Sequence, residues 1–189
     1  GAKDVPDSCG GKFEKPGEFA KFMYEVMAVL KREGRVDQGA SMGHVIVGGL
    51  SGGGRPLGFI LDTGGLNDSI KEAWIIDGAY EQHDKLAKNF VSTLTTTGPQ
   101  VLRSVFTTPN AADNADVMAL IGTPNGRPVM VADDEQMADY SKQIPDLMRR
   151  NQILFIRSVL PHDAFKLTER YLAPLISTSG YLRAIPNPQ

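Results

Sequence analysis

Cysteine, basic runs and long apolar runs are all scarce in this 189-residue chain, and each scarcity removes a class of protein. The single cysteine, Cys9, excludes an internal disulfide and a Cys-rich zinc site, although one thiol says nothing about redox compartment. No unbroken apolar stretch reaches the roughly 18 residues of a membrane span, and the N-terminus lacks a charged-then-apolar leader profile. The expectation is a soluble protein, cytoplasmic or secreted after processing. There is no run of basic residues and the formal net charge is -2, so nothing offers a footprint for nucleic acid. The nucleotide fingerprints fail too. Gly49 and Gly54 have the spacing of a phosphate loop, but Arg55 and Pro56 stand where lysine and serine or threonine are required, and G-x-G-x-x-G does not occur at this turn.

What remains is ordinary globular composition, 41% hydrophobic and 22% charged, sized for a single domain over residues 1–189 with a loop at 1–15 and a tail at 183–189. Residues 16–35 place Phe19, Phe22, Met23, Val26, Met27 and Leu30 on one helical stripe, read as core packing, with Gly34 as its stop. Strands begin near Val45, Ala73, Val101 and Ile153, the second covering 73–76 and the last running to Leu160. Helices are expected after Ser51, at 84–91, at 116–121, weakly through Met148, and at 164–176 with Leu167, Tyr171, Leu172 and Leu175 on one face. The Gly/Pro-rich string GTPNGRPVMVADDEQ reads as an irregular excursion. Alternating strands and helices predict a three-layer α/β/α sandwich with a mostly parallel sheet.

The chemistry concentrates at HVIVGGLSGGGRPLGFILD, where a strand leads through Gly49-Leu50-Ser51-Gly52-Gly53 into a helix. In a G-x-S-x-G elbow the serine sits on a sharp strand-to-helix turn, and the flanking glycines avoid a Cβ clash. The Gly52 N–H, at a helix start, would face a developing oxyanion. The plainer alternative is a glycine-rich turn with no chemistry. Of the three histidines, His44 lies at the far end of the nucleophile strand, about 20 Å away at 3.3 Å per residue, and His83 reads as a solvated imidazole. His162 follows the last strand at the edge where the elbow emerges, which suits a general base; otherwise it helps Asp163 cap the next helix. Two acids stay open: Asp77, ending the strand after the elbow helix, and Asp113 (with Asp116) in TTPNAADNAD, with Asp133 and Asp134 as outside candidates. Each has a turn or capping alternative. Asp133-Asp134-Glu135 reads as a solvated helix start rather than a cation site, Trp74 as buried against a helix, and Arg149-Arg150 as a solvated helix end.

Serine, acid and histidine in that chain order, each after a strand of a parallel sheet, resemble the α/β-hydrolase fold. The strings LSGGGRPLGFILDTGGL, IKEAWIIDGAY and LPHDAFKLTERYL look like poorly characterised bacterial esterase- or lysophospholipase-like members. The resemblance implies a serine hydrolase of carboxylic esters or related acyl bonds, acting through an acyl-enzyme with no metal or organic cofactor. A non-catalytic binding relative with the same fold is the alternative. It also implies that the strand at Val45, preceded by the helix from Pro16, corresponds to the fifth of eight, and that the first four have no counterpart, because the residues before that helix are too few for four strands of about six residues each. A partial fold of that kind would lack the loop that supplies the second oxyanion donor. It would also expose HVIV as an apolar edge open to self-association, so that the chain alone aggregates and turns over little ester.

Overall fold

The computed structural model describes residues 11–91, 101–122, 128–166 and 169–182. The expectations for residues 1–10, 183–189 and Leu167 lie outside them. The described chain is α/β, with five parallel strands flanked by helices in three layers. Strands β1 (Val45–Leu50), β2 (Ile70–Ile76), β3 (Val101–Thr107), β4 (Val129–Asp133) and β5 (Ile153–Ser158) form one sheet in the order β1-β2-β3-β5-β4. HVIV and ILFIRS therefore share a sheet. Helices α1 (Glu18–Arg32), α2 (Gly54–Thr63), α3 (His83–Val91) and α4 (Ala111–Ile121) cover one face; α5 (Tyr140–Arg150) and α6 (Glu169–Thr178) cover the other. Among the described residues no helix is long and apolar enough to cross a membrane.

Alternation along the strands divides the core in two. Val45, Val47, Ala73, Ile75, Leu102 and Phe155 face Leu57, Leu61, Phe90 and Val117 of the first helical layer. Trp74, Val105, Leu154 and Ile156 face Ile144, Met148, Tyr171 and Leu175 of the second. Side chains of successive strand residues point to opposite faces, so a strand covered by helices on both faces is apolar at consecutive positions. The run Ile153–Ile156 is buried at all four.

Several sequence expectations are corrected. The excursion contains a true strand, β4, paired with β5 from Val129 opposite Ile153 to Asp133 opposite Arg157. It is an edge strand of five residues, with Val131 53% exposed, and so carries little apolar signal. Strand β2 starts at Ile70 rather than Ala73, because Glu72 is buried inside it and satisfied by Trp74 Nε1 (2.9 Å), Ser179 Oγ (2.9 Å) and Arg103. Strand β5 stops at Ser158. Helix α4 begins at Ala111, five residues early, after a 3-10 turn at Thr108–Asn110. Helix α5 carries Pro145 within it, yet Asp139 caps its start by accepting from Ser141 N–H while Gln143 accepts from Asp139 N–H, a reciprocal cap. On α1 only Phe19 is fully buried, with Ala20 and Met23 packed half-buried against the same core; Phe22 is 45% exposed and packs edge-on against Phe13.

In α6 Leu172 is 49% exposed, off the face that buries Tyr171 and Leu175. Leu61→Ala, at a fully buried position of α2, is expected to cost about 2–5 kcal/mol in urea unfolding, whereas Leu172→Ala stays within about 0.5 kcal/mol. Equal losses would contradict this layering.

Candidate active site

The turn after β1 is built by backbone packed on backbone. Ser51 lies directly past Leu50, in the left-handed region at φ 54°, a conformation that costs a non-glycine residue of order 1–3 kcal/mol. A Cβ on Gly49 would stand 2.4 Å from the Gly53 carbonyl oxygen, and one on Gly54 would stand 1.5 Å from the Gly78 carbonyl oxygen. A Cβ on Gly78 would meet the Ser51 carbonyl oxygen at 2.6 Å. Gly53, expected to be needed for the same reason, has open space around it and an ordinary helical backbone, φ -66°. The crowding falls one residue later, on Gly54. Residues Ser51–Gly53 form a 3-10 turn before α2, and the Gly54 N–H closes back on its carbonyls. Gly52 N–H belongs to the first turn, where helix geometry leaves amides without an intrahelical acceptor.

The neighbouring strand brings the acid to the same place. Leu50 pairs with Ile76, so Ser51 and Asp77 end adjacent strands at the same edge of the sheet. Asp77 is 1% exposed and is also left-handed, φ 47°, with its N–H donated to Val105 O at 2.7 Å. Its carboxylate is fully engaged. Oδ1 accepts the Thr107 N–H at 2.8 Å, the Thr107 hydroxyl lies 2.9 and 3.0 Å from the two oxygens, and Oδ2 lies 2.5 Å from His162 Nδ1. Hydrogen bonds to an ionised acceptor are the strong ones, and three converge here. With Nδ1 turned to the acid, Nε2 is the ring nitrogen left to accept a proton from a reacting group. The His162 side chain is 36% exposed against 1% for Asp77, so the pair has a buried end and an open end.

The other candidates go elsewhere. Asp113, the alternative acid, sits in the first turn of α4 and holds His83 Nε2 at 2.7 Å, while Asp116 reaches His83 Nδ1 at 3.6 Å. His83 thus ties α3 to α4 rather than standing solvated. His44 packs its ring on Tyr181, centroids 4.9 Å apart, ahead of β1. Asp133 pairs with Arg157 and accepts from Glu135 N–H, whereas Asp134 is buried against Tyr171 rather than solvated. Trp74 is 8% exposed in the core, and Arg149 and Arg150 lie exposed in the last turn of α5. Among the described residues no group of three or more His, Cys, Asp or Glu could hold a metal ion. A cleft of about 590 Å³ opens between α4 and β4, lined by Phe106, Met118, Met130 and Met137, but Ser51, Asp77 and His162 do not line it.

Two participants went unseen in the sequence. Thr107 ends β3 and fixes the acid, a role that no local pattern announces. Tyr80, three residues past Asp77, is raised above the usual tyrosine range by burial and by the nearby Asp77 and Asp113 carboxylates, partly offset by Asn110.

Two outcomes follow from this geometry. Gly54→Ala has no room and should cost 3 kcal/mol or more, of the order reached by severe overpacking, while Gly53→Ala should be neutral or stabilising by up to about 1 kcal/mol. Thermal melts of the pair compare them directly, and a tolerated Gly54→Ala would contradict the contact. For Tyr80 the folded state holds its proton more tightly than the unfolded chain. Stability from the neutral phenol is complete below about pH 10 and declines as pH climbs past the ordinary tyrosine value. Urea unfolding between pH 9 and 11 should therefore fall less steeply for Tyr80→Phe, and identical slopes would refute the shift. No family model, curated protein or solved structure matches the chain.

Proposed function

We propose that the protein is a serine hydrolase that cleaves a carboxylic ester or related acyl bond through an acyl-enzyme on Ser51. One observation carries the reading: a serine in left-handed backbone at a strand-to-helix turn packs against Gly78, and the residue before Gly78 holds the Nδ1 of a half-exposed histidine. A strained serine turn is an expensive feature, and a buried carboxylate beneath an open imidazole is the arrangement that makes a serine nucleophilic.

In the proposed cycle the Ser51 hydroxyl attacks the acyl carbonyl while His162 Nε2 takes its proton. The oxyanion is met by the Gly52 N–H and the positive end of the following helix. Collapse breaks the bond to the alcohol, which leaves with the proton from His162. Water, deprotonated by the same nitrogen, then attacks the acyl-enzyme, releasing the acid and restoring Ser51. Asp77 fixes the imidazole tautomer and stabilises its protonated form, and Thr107 fixes Asp77. The same reading supports the resemblance to esterase-like α/β-hydrolases, with the acid on the strand next to the nucleophile strand.

A fluorophosphonate probe tests this. Covalent labelling of the wild type at Ser51, abolished in Ser51→Ala, is expected. His162→Ala and Asp77→Asn should each slow ester turnover by roughly three to four orders of magnitude. A folded wild type that neither labels nor hydrolyses p-nitrophenyl esters would contradict the reading and favour a binding protein that keeps the fold without turnover.

A further inference from the structure

The segment carrying His162 is gripped from below by a buried polar cluster that the proposed chemistry does not use. Asp134 follows β4, and its side chain is completely enclosed. It accepts the Val159 N–H at 2.9 Å, the Tyr171 hydroxyl, and Arg170 Nη1 at 3.2 Å. The Tyr171 and Ser158 hydroxyls are 2.7 Å apart, and Ser158 Oγ accepts the Leu160 N–H at 3.0 Å. Thus two consecutive amides of the chain leaving β5 are held, one by Asp134 and the other by a hydroxyl that touches Tyr171. Beyond His162 the same tyrosine acts again: its ring stacks on Phe165, centroids 5.5 Å apart. His162 lies between the two anchor points.

A carboxylate without solvent is costly unless its partners are in place. The Asp134 cluster is complete only when residues 158–160 hold their present course, so an alternative path for the loop strands a buried charge. From these contacts we infer that Asp134 and Tyr171 are positioning residues for His162, holding the 159–162 loop so that the imidazole stays over Asp77. The inference rests on His162 being the base of the proposed hydrolase. It also gives β4 a purpose, since pairing with β5 from Val129 to Asp133 delivers Asp134 beside Val159. Arg170 supports the cluster from the rim, stacked 3.7 Å from the centroid of Tyr140. A displacement of about 1 Å in a reacting group can cost about a hundredfold in rate, so a loosened loop should be visible in kcat.

The test uses Asp134→Ala, Asp134→Asn, which keeps an acceptor for Val159 N–H, and Tyr171→Phe, which keeps the stack on Phe165 and removes only the hydroxyl. Asp133→Asn, which breaks the neighbouring exposed pair with Arg157, is the control. Two readouts are taken on the whole chain: kcat and KM on a p-nitrophenyl ester, and the downfield proton resonance of His162 Nδ1–H, assigned by its loss in Asp77→Asn. Tyr171→Phe should lower kcat about tenfold and Asp134→Ala up to about a hundredfold, with KM changed less than threefold and the resonance broadened or lost. Asp134→Asn should recover most of both, and Asp133→Asn should match the wild type. Folded variants with the native resonance and unchanged kcat would overturn the inference, and if Asp134→Ala does not fold, Tyr171→Phe decides. A wild type without esterase activity would count against the hydrolase reading alone, because the resonance still reports whether the cluster positions His162.

Discussion

Everything at the candidate site depends on how closely two backbones approach. The elbow after β1 and the turn after β2 touch through Gly54 and Gly78, where a single Cβ would overlap a carbonyl oxygen. Glycine is the one residue that permits such contact. Because the turns meet there, Ser51 lies against the residue following Asp77, and its left-handed backbone is held by the packing of one turn on the other. The sheet does the rest. Five parallel strands deliver their C-terminal ends to one edge, and the three residues of interest come from β1, β2 and the loop after β5, spanning three strand spacings.

Around that contact the fold spends its buried polar groups on orientation. Asp77 is pinned by Thr107 on the adjacent strand, and the loop above it by Asp134 on the far edge strand. A third cluster, Glu72 with Trp74, Arg103 and Ser179, ties the ends of α5 and α6 to the sheet, because Arg103 also donates to Met148 O and Thr178 O. Such groups have little water to fall back on, so the bonds they make favour a single geometry over near neighbours, although Arg103 Nε is buried without a hydrogen-bond partner. The apolar layers supply the stability, and these clusters narrow it to one register.

Much of this was legible in the residues themselves. The strand-like runs that open at Val45, Val101 and Ile153 alternate with helical patterns, as the strands of a covered parallel sheet do, and the glycines around Ser51 mark its turn. Asp77 stood out because it ends a strand beside the elbow. The hidden parts are those whose partners are distant in sequence. Nothing near Gly54 announces Gly78, 24 positions away, and a threonine ending a strand does not name the carboxylate across from it. Asp134 is the sharpest case: three consecutive carboxylates read as a solvated helix start, yet strand pairing buries the middle one under Tyr171. Strand β4 itself was masked by its Gly/Pro surroundings and by its place at the sheet edge, where exposure weakens the apolar pattern.

The central claim is that Asp77 and His162 act as one unit on Ser51. A double-mutant cycle on the rate of Ser51 phosphonylation tests it most directly, comparing Asp77→Asn, His162→Ala and the double variant. If the acid works only through the imidazole, the double variant reacts no more slowly than His162→Ala alone, since residues of one catalytic unit are strongly non-additive. Rate losses that multiply across the two sites would mean that Asp77 and His162 contribute independently, and the unit described here would not exist.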